Sequence, residues 1–337
     1  MIRRMLALML AVAVAQAAPR NEEVSFENET AHIQLAGTLS LPEGKGPFTA
    51  VVLIAASGPM SRDENAEGHP VFVVLSDYLR GRGIAALRYD KRGVGKSSGD
   101  LGKATFDDLV SDASAAFRYL KSRPEVDRHR LGVIGHSEGG SIAPAVAATD
   151  RDVAFVVAMA GSGLNGETRI CLQQPYIAKE MHGASPEQQA AIGTMCHSIF
   201  KTVAQTKDDT EAGRRIHELV LKAKGDEELE TLLTPTFVRQ ELTDDPVKYV
   251  QQIHVPMLAL IGTLDRIVPA EPYVAVMKPT LAKIPGSKLV VLDNLNHVMQ
   301  TAKTGSPMEF GTLPETIAPI ALQTIGDWIN VTAKPIP

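Results

Sequence analysis

The segment LGVIGHSEGGSIAPAVAA, residues 131–148, constrains the fold of this chain more than any other. An apolar run leads directly into Gly135, and Ser137 stands between that glycine and Gly139 before a second apolar stretch begins. Glycines two positions before and after a serine remove the Cβ atoms that would collide in a tight turn. The pattern predicts a sharp bend from strand to helix that presents the Ser137 hydroxyl, although a glycine-rich turn with an idle serine has the same local sequence.

Continuous apolar runs predict strands that are covered on both faces, which is typical of a parallel sheet. Such runs lie at 50–56, 83–89, 131–135, 153–161, 256–262 and 287–293. Two alternating runs at 24–28 and 32–41 predict an antiparallel entry to that sheet. Helical patterns separate the apolar runs, as at 106–122, where apolar side chains recur at the helical period behind a candidate cap, Thr105. The chain is therefore predicted to be an α/β protein with a doubly wound, mostly parallel sheet.

This alternation predicts a core in two pieces, 18–162 and 251–337, interrupted by an insertion at 163–250. The inserted segment is rich in Glu, Lys, Gln and Met, and predicts a helical cap above the edge of the sheet. Residues 1–17 begin with a basic pair, continue with an apolar run and end in small residues at the spacing that a signal peptidase recognises. They predict a cleavable secretory signal, and hence export to the periplasm or the extracellular space.

Composition argues against several classes of partner. The net charge of −5 is mild and spread along the chain, with no basic patch dense enough for nucleic acid. No stretch after the signal is long and apolar enough for stable membrane insertion. The sequence contains no cluster of His, Cys and carboxylate residues that would predict a metal site, so no metal is expected. No cofactor is expected either. Cys171 and Cys196 could pair in an oxidising compartment, and the oligomeric state is left open by the sequence.

A serine hydroxyl is a weak nucleophile at neutral pH and needs a base, which in turn needs an orienting acid. Asp265 in GTLDRIVP follows one predicted strand, and His297 in LNHVMQ follows the next. With Ser137 they stand in the order Ser, Asp, His, each at the carboxyl end of a strand, where the sites of α/β proteins gather. Asp293 is the reserve candidate for the acid, and His136 beside the serine is predicted to be a packing residue.

Two backbone N–H groups are candidates for holding an oxyanion. Glu138 opens the helix after the serine, where the first N–H groups have no partner within the helix. Ser57 lies in AASGPMSRDEN after a predicted strand, in the position expected of the second donor. In the same loop, Arg62 and Asp63 are predicted to form a local ion pair.

The segment RYDKRGVGKSSG, residues 88–99, contains glycine and lysine but lacks the spacing of a phosphate-binding loop. It is instead predicted to be a turn after a strand, made rigid by Asp90 and Arg92. Nucleotide binding is therefore not expected.

Five motifs together resemble the serine α/β-hydrolases of the bacterial EstD-like carboxylesterase type: SGPMSRDEN, RYDKRGVGKSSG, GHSEGG, GTLDRIVP and LNHVMQ. The resemblance runs through nearly the whole mature chain except the cap. It implies an α/β-hydrolase fold with the nucleophile at Ser137, the acid at Asp265 and the base at His297. It also implies oxyanion donors at the backbone N–H groups of Ser57 and Glu138.

The chain departs from that family at Ala55-Ala56, because His-Gly usually precedes the Ser-Gly-Pro of this loop. Backbone donors survive such a change. The predicted function is an exported serine hydrolase that cleaves small carboxylic esters with short to medium acyl chains. A peptidase or amidase and an acyltransferase use the same triad and stay open, as does a non-catalytic binding protein on a hydrolase scaffold.

Overall fold

The computed structural model describes residues 18–161, 163–222, 230–231, 233–243 and 245–333. The predicted signal, residues 1–17, lies outside them. Within the described ranges, no helix combines the length and the apolar character that crossing a bilayer requires.

A twisted layer of strands forms the centre of the molecule. The strands are β1 (Arg20–Asn28), β2 (Ile33–Leu41), β3 (Phe48–Ile54), β4 (Asn65–Ala66), β5 (His69–Pro70), β6 (Ile84–Tyr89), β7 (Val126–His136), β8 (Phe155–Met159), β9 (Met257–Gly262) and β10 (Lys288–Leu292). In the described part of the chain, eight of them form one sheet in the order β1-β2-β6-β3-β7-β8-β9-β10, and β4 pairs with β5 separately. The β1–β2 and β2–β6 pairs are antiparallel, and every later pair is parallel. The predicted mostly parallel sheet with an antiparallel entry is confirmed.

Helices cover both faces of this sheet and form the insertion. They are α1 (Val71–Gly81), α2 (Phe106–Ser122), α3 (Glu138–Thr149), α4 (Gly166–His182), α5 (Pro186–Gln205), α6 (Asp209–Lys222), α7 (Pro235–Thr243), α8 (Pro246–Val250), α9 (Ala270–Leu281) and α10 (Pro319–Thr332). Short 3-10 turns lie at Leu101–Lys103 and Pro307–Thr312. Helix α2 begins after Thr105 as predicted, with a reciprocal capping box between Thr105 and Asp108.

The central strands are apolar without interruption because both of their faces are buried. Every residue of β3 after Phe48, and every residue of β6, β8 and β9, is buried. The edge strand β10 differs, since it has a neighbour on one side only and Val291 is 42% exposed. The run at 287–293 was predicted to be covered on both faces like the others, and it instead forms this edge strand, so the continuous apolar pattern marks the central strands but does not exclude an edge.

The inserted helices α4 to α7 bury an apolar cluster of their own, separate from the main core. Cys171 and Cys196 form a disulfide between α4 and α5, with their Cα atoms 5.4 Å apart, so the pairing that the sequence allowed is present. Helix α8 belongs with the main core instead, because Val250 packs there and the ring of Tyr249 stacks on Phe106. The exact boundaries of the cap stay a prediction.

Candidate active site

Ser137 lies at the sharp turn between β7 and α3. Its backbone is in the left-handed region, with φ 54° and ψ −117°, a conformation that costs free energy for a residue with a side chain. Two backbone hydrogen bonds hold it there. The Ser137 N–H donates to the carbonyl of Met159 at 3.0 Å, and the Ser137 carbonyl accepts from the N–H of Gly140 at 2.8 Å. Ser137 is half-buried.

The two glycines around the serine are required by close contacts between backbone segments. A Cβ at Gly135 would lie 1.8 Å from the carbonyl oxygen of Gly139. A Cβ at Gly139 would lie 2.0 Å from the carbonyl oxygen of Ile54. Helix α3 therefore rests directly on the ends of β3 and β7, and its first N–H groups face the same end of the sheet as the serine.

Asp265 and His297 meet at the carboxyl ends of β9 and β10. The Nδ1 atom of His297 is 2.9 Å from Oδ2 of Asp265, and both side chains are buried. The second oxygen, Oδ1, accepts the backbone N–H groups of Ile267 at 2.9 Å and Val268 at 2.7 Å. A carboxylate fixed at both oxygens holds the imidazole with its proton on Nδ1, which leaves Nε2 to accept a proton.

Asp293, the reserve candidate for the acid, is exposed and follows β10 on the outer edge of the sheet. Asp265 is the carboxylate that contacts His297. The structure therefore brings together the acid and base that the sequence ranked first.

The serine turn is joined to the histidine loop through the residue next to it. The Nε2 atom of His136 donates to the backbone carbonyl of His297 at 2.9 Å, and the two imidazole rings lie 5.0 Å apart. Ser137 follows His136 directly, and Ser137, Asp265 and His297 thus lie after the carboxyl ends of β7, β9 and β10.

His136 also contacts an acid that the sequence analysis did not single out. Its Nδ1 lies 2.6 Å from Oε1 of Glu64, and both side chains are 2% exposed. A carbonyl and a carboxylate only accept hydrogen bonds, so the pair holds one proton more than a neutral imidazole beside a carboxylate. Burial pulls the pKa of His136 down, but the charge and hydrogen bond of Glu64, with the carbonyl of His297, raise it above its ordinary value. His136 is buried as predicted, but it is a hydrogen-bonding residue and not packing alone.

The two candidate oxyanion donors lie on neighbouring backbone segments. Ser57 is exposed in the loop after β3, and Glu138 is the half-exposed first residue of α3. The preceding N–H group, that of Ala56, is already bound to Oε1 of Glu64 at 3.0 Å, so the next N–H along the chain is that of Ser57. Lys91 bridges the two segments, since its Nζ donates to the Ala56 carbonyl at 3.0 Å and to Oε2 of Glu138 at 2.7 Å.

The predicted ion pair between Arg62 and Asp63 is wrong. Arg62 donates to both carboxylate oxygens of Asp90, at 3.1 and 2.8 Å, while Asp63 pairs with Arg88. Strand β6 ends beside this loop, so that Arg88 and Asp90 offer each charge a partner on the other segment. The Asp90 and Arg92 turn is rigid as predicted, because Asp90 is bound to Arg62 and Arg92 is bound to Asp112 of α2.

A strained serine turn at the end of a central parallel strand, beside a buried Asp–His pair, defines a serine α/β-hydrolase scaffold. Residues 68–301 match the family described as serine aminopeptidase, S33, and the chain belongs to that family. The resemblance to EstD-like serine hydrolases and the α/β-hydrolase fold are both confirmed. Family membership makes the chain a serine hydrolase, and ester hydrolysis itself stays a prediction.

Three known proteins show how far the likeness extends. Esterase EstD of Thermotoga maritima is 28% identical over 293 residues, which cover 85% of this chain and 63% of EstD. Polyketide transferase claH of Penicillium crustosum is 34% identical over 151 residues, 42% of this chain and 44% of its own length. The solved structure of an esterase from Pyrococcus furiosus superposes with a TM-score of 0.58 at 18% identity, over 94% of this chain and 92% of that one. This chain thus spans less than two thirds of these two sequence relatives, and the solved structure supports the fold alone.

Replacing Gly139 with alanine should destabilise the protein by about 1–3 kcal/mol or more, because the new Cβ cannot fit against the Ile54 carbonyl without moving α3. Gly81→Ala is the matched control, since a Cβ there meets nothing within 4 Å. Its effect on the free energy of unfolding should stay within about 1 kcal/mol. Urea denaturation of both variants measures the difference, and equal stabilities would mean that α3 has room to shift.

The raised pKa of His136 predicts a stability contribution that is complete below pH 6.5, the ordinary value for histidine, and is lost as pH rises through the higher native value. The free energy of unfolding of the native protein, minus that of His136→Gln, should therefore shrink above pH 6.5. The slope can reach at most about 1.4 kcal/mol per pH unit. Denaturation curves from pH 5 to 9 test this, with His129→Gln as the exposed control. A difference that is flat or grows with pH would contradict the shared proton.

Proposed function

We propose that this protein is a serine esterase that hydrolyses small carboxylic esters through an acyl-enzyme. The observation that carries the proposal is the buried hydrogen bond between Asp265 and His297, joined through His136 to the strained turn at Ser137. Membership of the hydrolase family and the similarity to Esterase EstD support the same class of reaction.

In this proposal Ser137 Oγ attacks the ester carbonyl while His297 Nε2 takes its proton. Asp265 keeps the imidazole in the required tautomer and stabilises the imidazolium that forms. The imidazolium then protonates the departing alcohol. In the second half of the cycle, Nε2 takes a proton from water, whose oxygen attacks the acyl carbon. The imidazolium then returns that proton to Ser137 Oγ as the bond between Oγ and the acyl carbon breaks and the acid leaves.

The backbone N–H groups of Ser57 and Glu138 are proposed to hold the oxyanion of each tetrahedral intermediate. Helix α3 adds the positive end of its dipole at Glu138. In comparable sites, each such donor contributes about 2.7–4 kcal/mol to transition-state stabilisation.

A cavity of about 550 Å³ opens beside the loop that carries Asp265, but its lining contains none of Ser137, His297, Ser57 and Glu138, so it carries no argument about the substrate. Its walls come from the cap and from the loops after β9 and β10: Leu172, Pro175, Tyr176, Lys179, Glu180, Gln189, Arg266 and Thr304. Most of these side chains carry a polar or charged group. The preference for short to medium acyl chains is proposed from the resemblance to the EstD-like family.

Acyl transfer and peptide cleavage are the alternatives within the same chemistry. The name of the claH relative, a polyketide transferase, and the aminopeptidase description of the family each favour one of them. A non-catalytic binding protein is disfavoured, because a binding scaffold has no use for an imidazole oriented by a buried carboxylate.

Substitutions at the three residues should abolish ester hydrolysis without unfolding the protein. Ser137→Ala and His297→Ala should each lower kcat by about 10⁴-fold or more, and Asp265→Asn by a similar order. Asp293→Asn is the matched control, since it neutralises the exposed aspartate on the same edge of the sheet. Turnover of p-nitrophenyl esters of rising chain length measures the loss, and a fluorophosphonate probe should label the native protein but not Ser137→Ala.

Near-normal turnover in His297→Ala, or loss in Asp293→Asn alone, would mean that the base or the acid is misassigned. Faster release of amines from peptide substrates would favour the peptidase. Transfer to an added alcohol or amine in preference to water would favour the acyltransferase, and no labelling at all would favour the binding protein.

Export is part of the proposal, supported by the leader-like composition of residues 1–17 and by the disulfide, a bond that persists in oxidising compartments. Expressed in a bacterial host with its own N-terminus, the protein should reach the periplasm and begin at Ala18. Intact mass spectrometry before and after reduction should show the cleaved N-terminus and one closed disulfide. An uncleaved chain with free thiols at Cys171 and Cys196 would contradict export.

A further inference from the structure

Lys91 is a buried cation that the mechanism above does not use. Its side chain is 6% exposed, and its Nζ contacts the Ala56 carbonyl at 3.0 Å and Oε2 of Glu138 at 2.7 Å. An ammonium group is costly to bury, so it is retained at such a position only with close partners. Both partners belong to the segments that carry the candidate oxyanion donors.

The contact of Lys91 with Ala56 acts on Ser57, because the Ala56 carbonyl and the Ser57 N–H belong to the same peptide group. The Ala56 carbonyl and the Ser57 N–H lie in the same plane and point in opposite directions across a trans peptide bond. A donor that fixes the direction of the carbonyl therefore fixes the direction of the N–H. The positive charge of the Lys91 ammonium beside the carbonyl oxygen also polarises this peptide group, which strengthens the hydrogen bond that the Ser57 N–H donates.

Glu64 holds the other side of Ala56. Its Oε1 accepts the Ala56 N–H at 3.0 Å, while Lys91 binds the carbonyl, so the residue before Ser57 is gripped at both of its backbone polar groups. Oε1 of Glu64 is in turn 2.6 Å from Nδ1 of His136. The grip on the oxyanion loop is thereby connected to the residue beside the serine.

The segment around Lys91 is itself locked on both sides. Asp90 receives two hydrogen bonds from the Arg62 guanidinium, and Arg92 is bound to the buried carboxylate of Asp112. The backbone at Lys91 therefore cannot move away from Ala56 without breaking these two buried ion pairs. This gives the RYDKRG motif a purpose beyond a rigid turn.

We propose that Lys91 is a positioning residue for the oxyanion site, which holds the Ser57 and Glu138 segments together and aims the Ser57 N–H at the developing negative charge. The proposal rests on the esterase mechanism proposed above. Lys91 does not touch the substrate in it, and acts through the Ala56–Ser57 peptide and the head of α3.

A residue of this kind affects the transition state more than the bound ester, because the negative charge exists only after attack. Complete loss of one donor costs about 10²–10³ in kcat, so misdirecting the Ser57 N–H in Lys91→Met should lower kcat by roughly 10- to 100-fold. KM should stay within about threefold of the native value, since the ester carries little charge on its carbonyl oxygen before attack and depends little on the Ser57 N–H.

The test compares Lys91→Met with Lys96→Met, which removes the same charge from an exposed position on the same turn. Turnover of a p-nitrophenyl ester is measured together with the inhibition constant of a trifluoromethyl ketone, whose serine adduct carries the oxyanion. In Lys91→Met the inhibition constant should rise by the same factor by which kcat/KM falls. Lys96→Met should match the native protein in both, and Lys91→Arg should recover part of the loss.

Two results would overturn the proposal. One is a kcat within threefold of native in Lys91→Met. The other is a fall in total activity that is explained entirely by a smaller fraction of active molecules, as counted by titration with the ketone. Because Lys91→Met leaves Glu138 without its partner, the double variant Lys91→Met, Glu138→Gln removes the stranded carboxylate and keeps the backbone N–H. The double variant should stay slow, and native turnover in it would show that the Ala56 contact does not matter.

Failure of the underlying mechanism is recognised separately. If Ser137→Ala keeps its turnover, the esterase proposal is wrong and the role of Lys91 falls with it. If Ser137→Ala is inactive while Lys91→Met is native-like, the esterase proposal stands and the positioning role alone is rejected.

Discussion

The structure depends on how closely helix α3 lies on the ends of the central strands. No Cβ fits between Gly135 and Gly139 or between Gly139 and the Ile54 carbonyl, so the chain must turn within a single residue. That residue, Ser137, takes a left-handed conformation which the carbonyl of Met159 and the N–H of Gly140 hold from either side. The same contact sets the first N–H groups of α3 beside the loop after β3. Presentation of the hydroxyl and proximity of the two backbone donors are therefore consequences of one packing requirement.

Around this contact, ion pairs with at least one buried partner connect segments that are far apart in the chain. The loop after β3 is tied to the end of β6 by Arg62 with Asp90 and by Asp63 with Arg88, and to the serine turn by Glu64 with His136. Lys91 completes the set at Glu138. Burying such pairs costs solvation free energy that their attraction offsets only in good geometry, so they are poor candidates for raising the stability of the fold. Their common effect is to fix the relative position of three loops, which the proposed oxyanion site requires.

The sequence predicted the fold well because its signals are local. Continuous apolar runs marked the buried strands, Thr105 marked the start of α2, and the glycine spacing marked the serine turn. The Asp265 and His297 pair could be predicted for a related reason, since each follows a strand and the strand ends of a parallel sheet share one edge.

Glu64, His136 and Lys91 were missed or undervalued because their partners lie 72, 161 and 47 residues away, and no periodic pattern reports such pairings. The wrong pairing of Arg62 with Asp63 has the same cause, as sequence adjacency was the one cue available for either charge. One signal could have pointed to a buried network: Glu64 lies in a turn that also carries three other charged or amide side chains.

The unusual Ala55-Ala56 pair can be understood from the same contacts. A residue with a polar side chain before Ser57 could help to order the loop by itself, whereas alanine offers only its backbone groups. In this chain, Glu64 binds the Ala56 N–H and Lys91 binds the Ala56 carbonyl, so both backbone groups are ordered by side chains from other segments. A small residue at position 56 also leaves space for these two long side chains to approach, and it is 9% exposed although it carries no polar side chain. The order of the loop after β3 is thus supplied from outside the loop. A change at Lys91 reaches the Ser57 N–H through the Ala56–Ser57 peptide group, whereas a change at Glu64 acts on the preceding peptide group, that of Ala55 and Ala56.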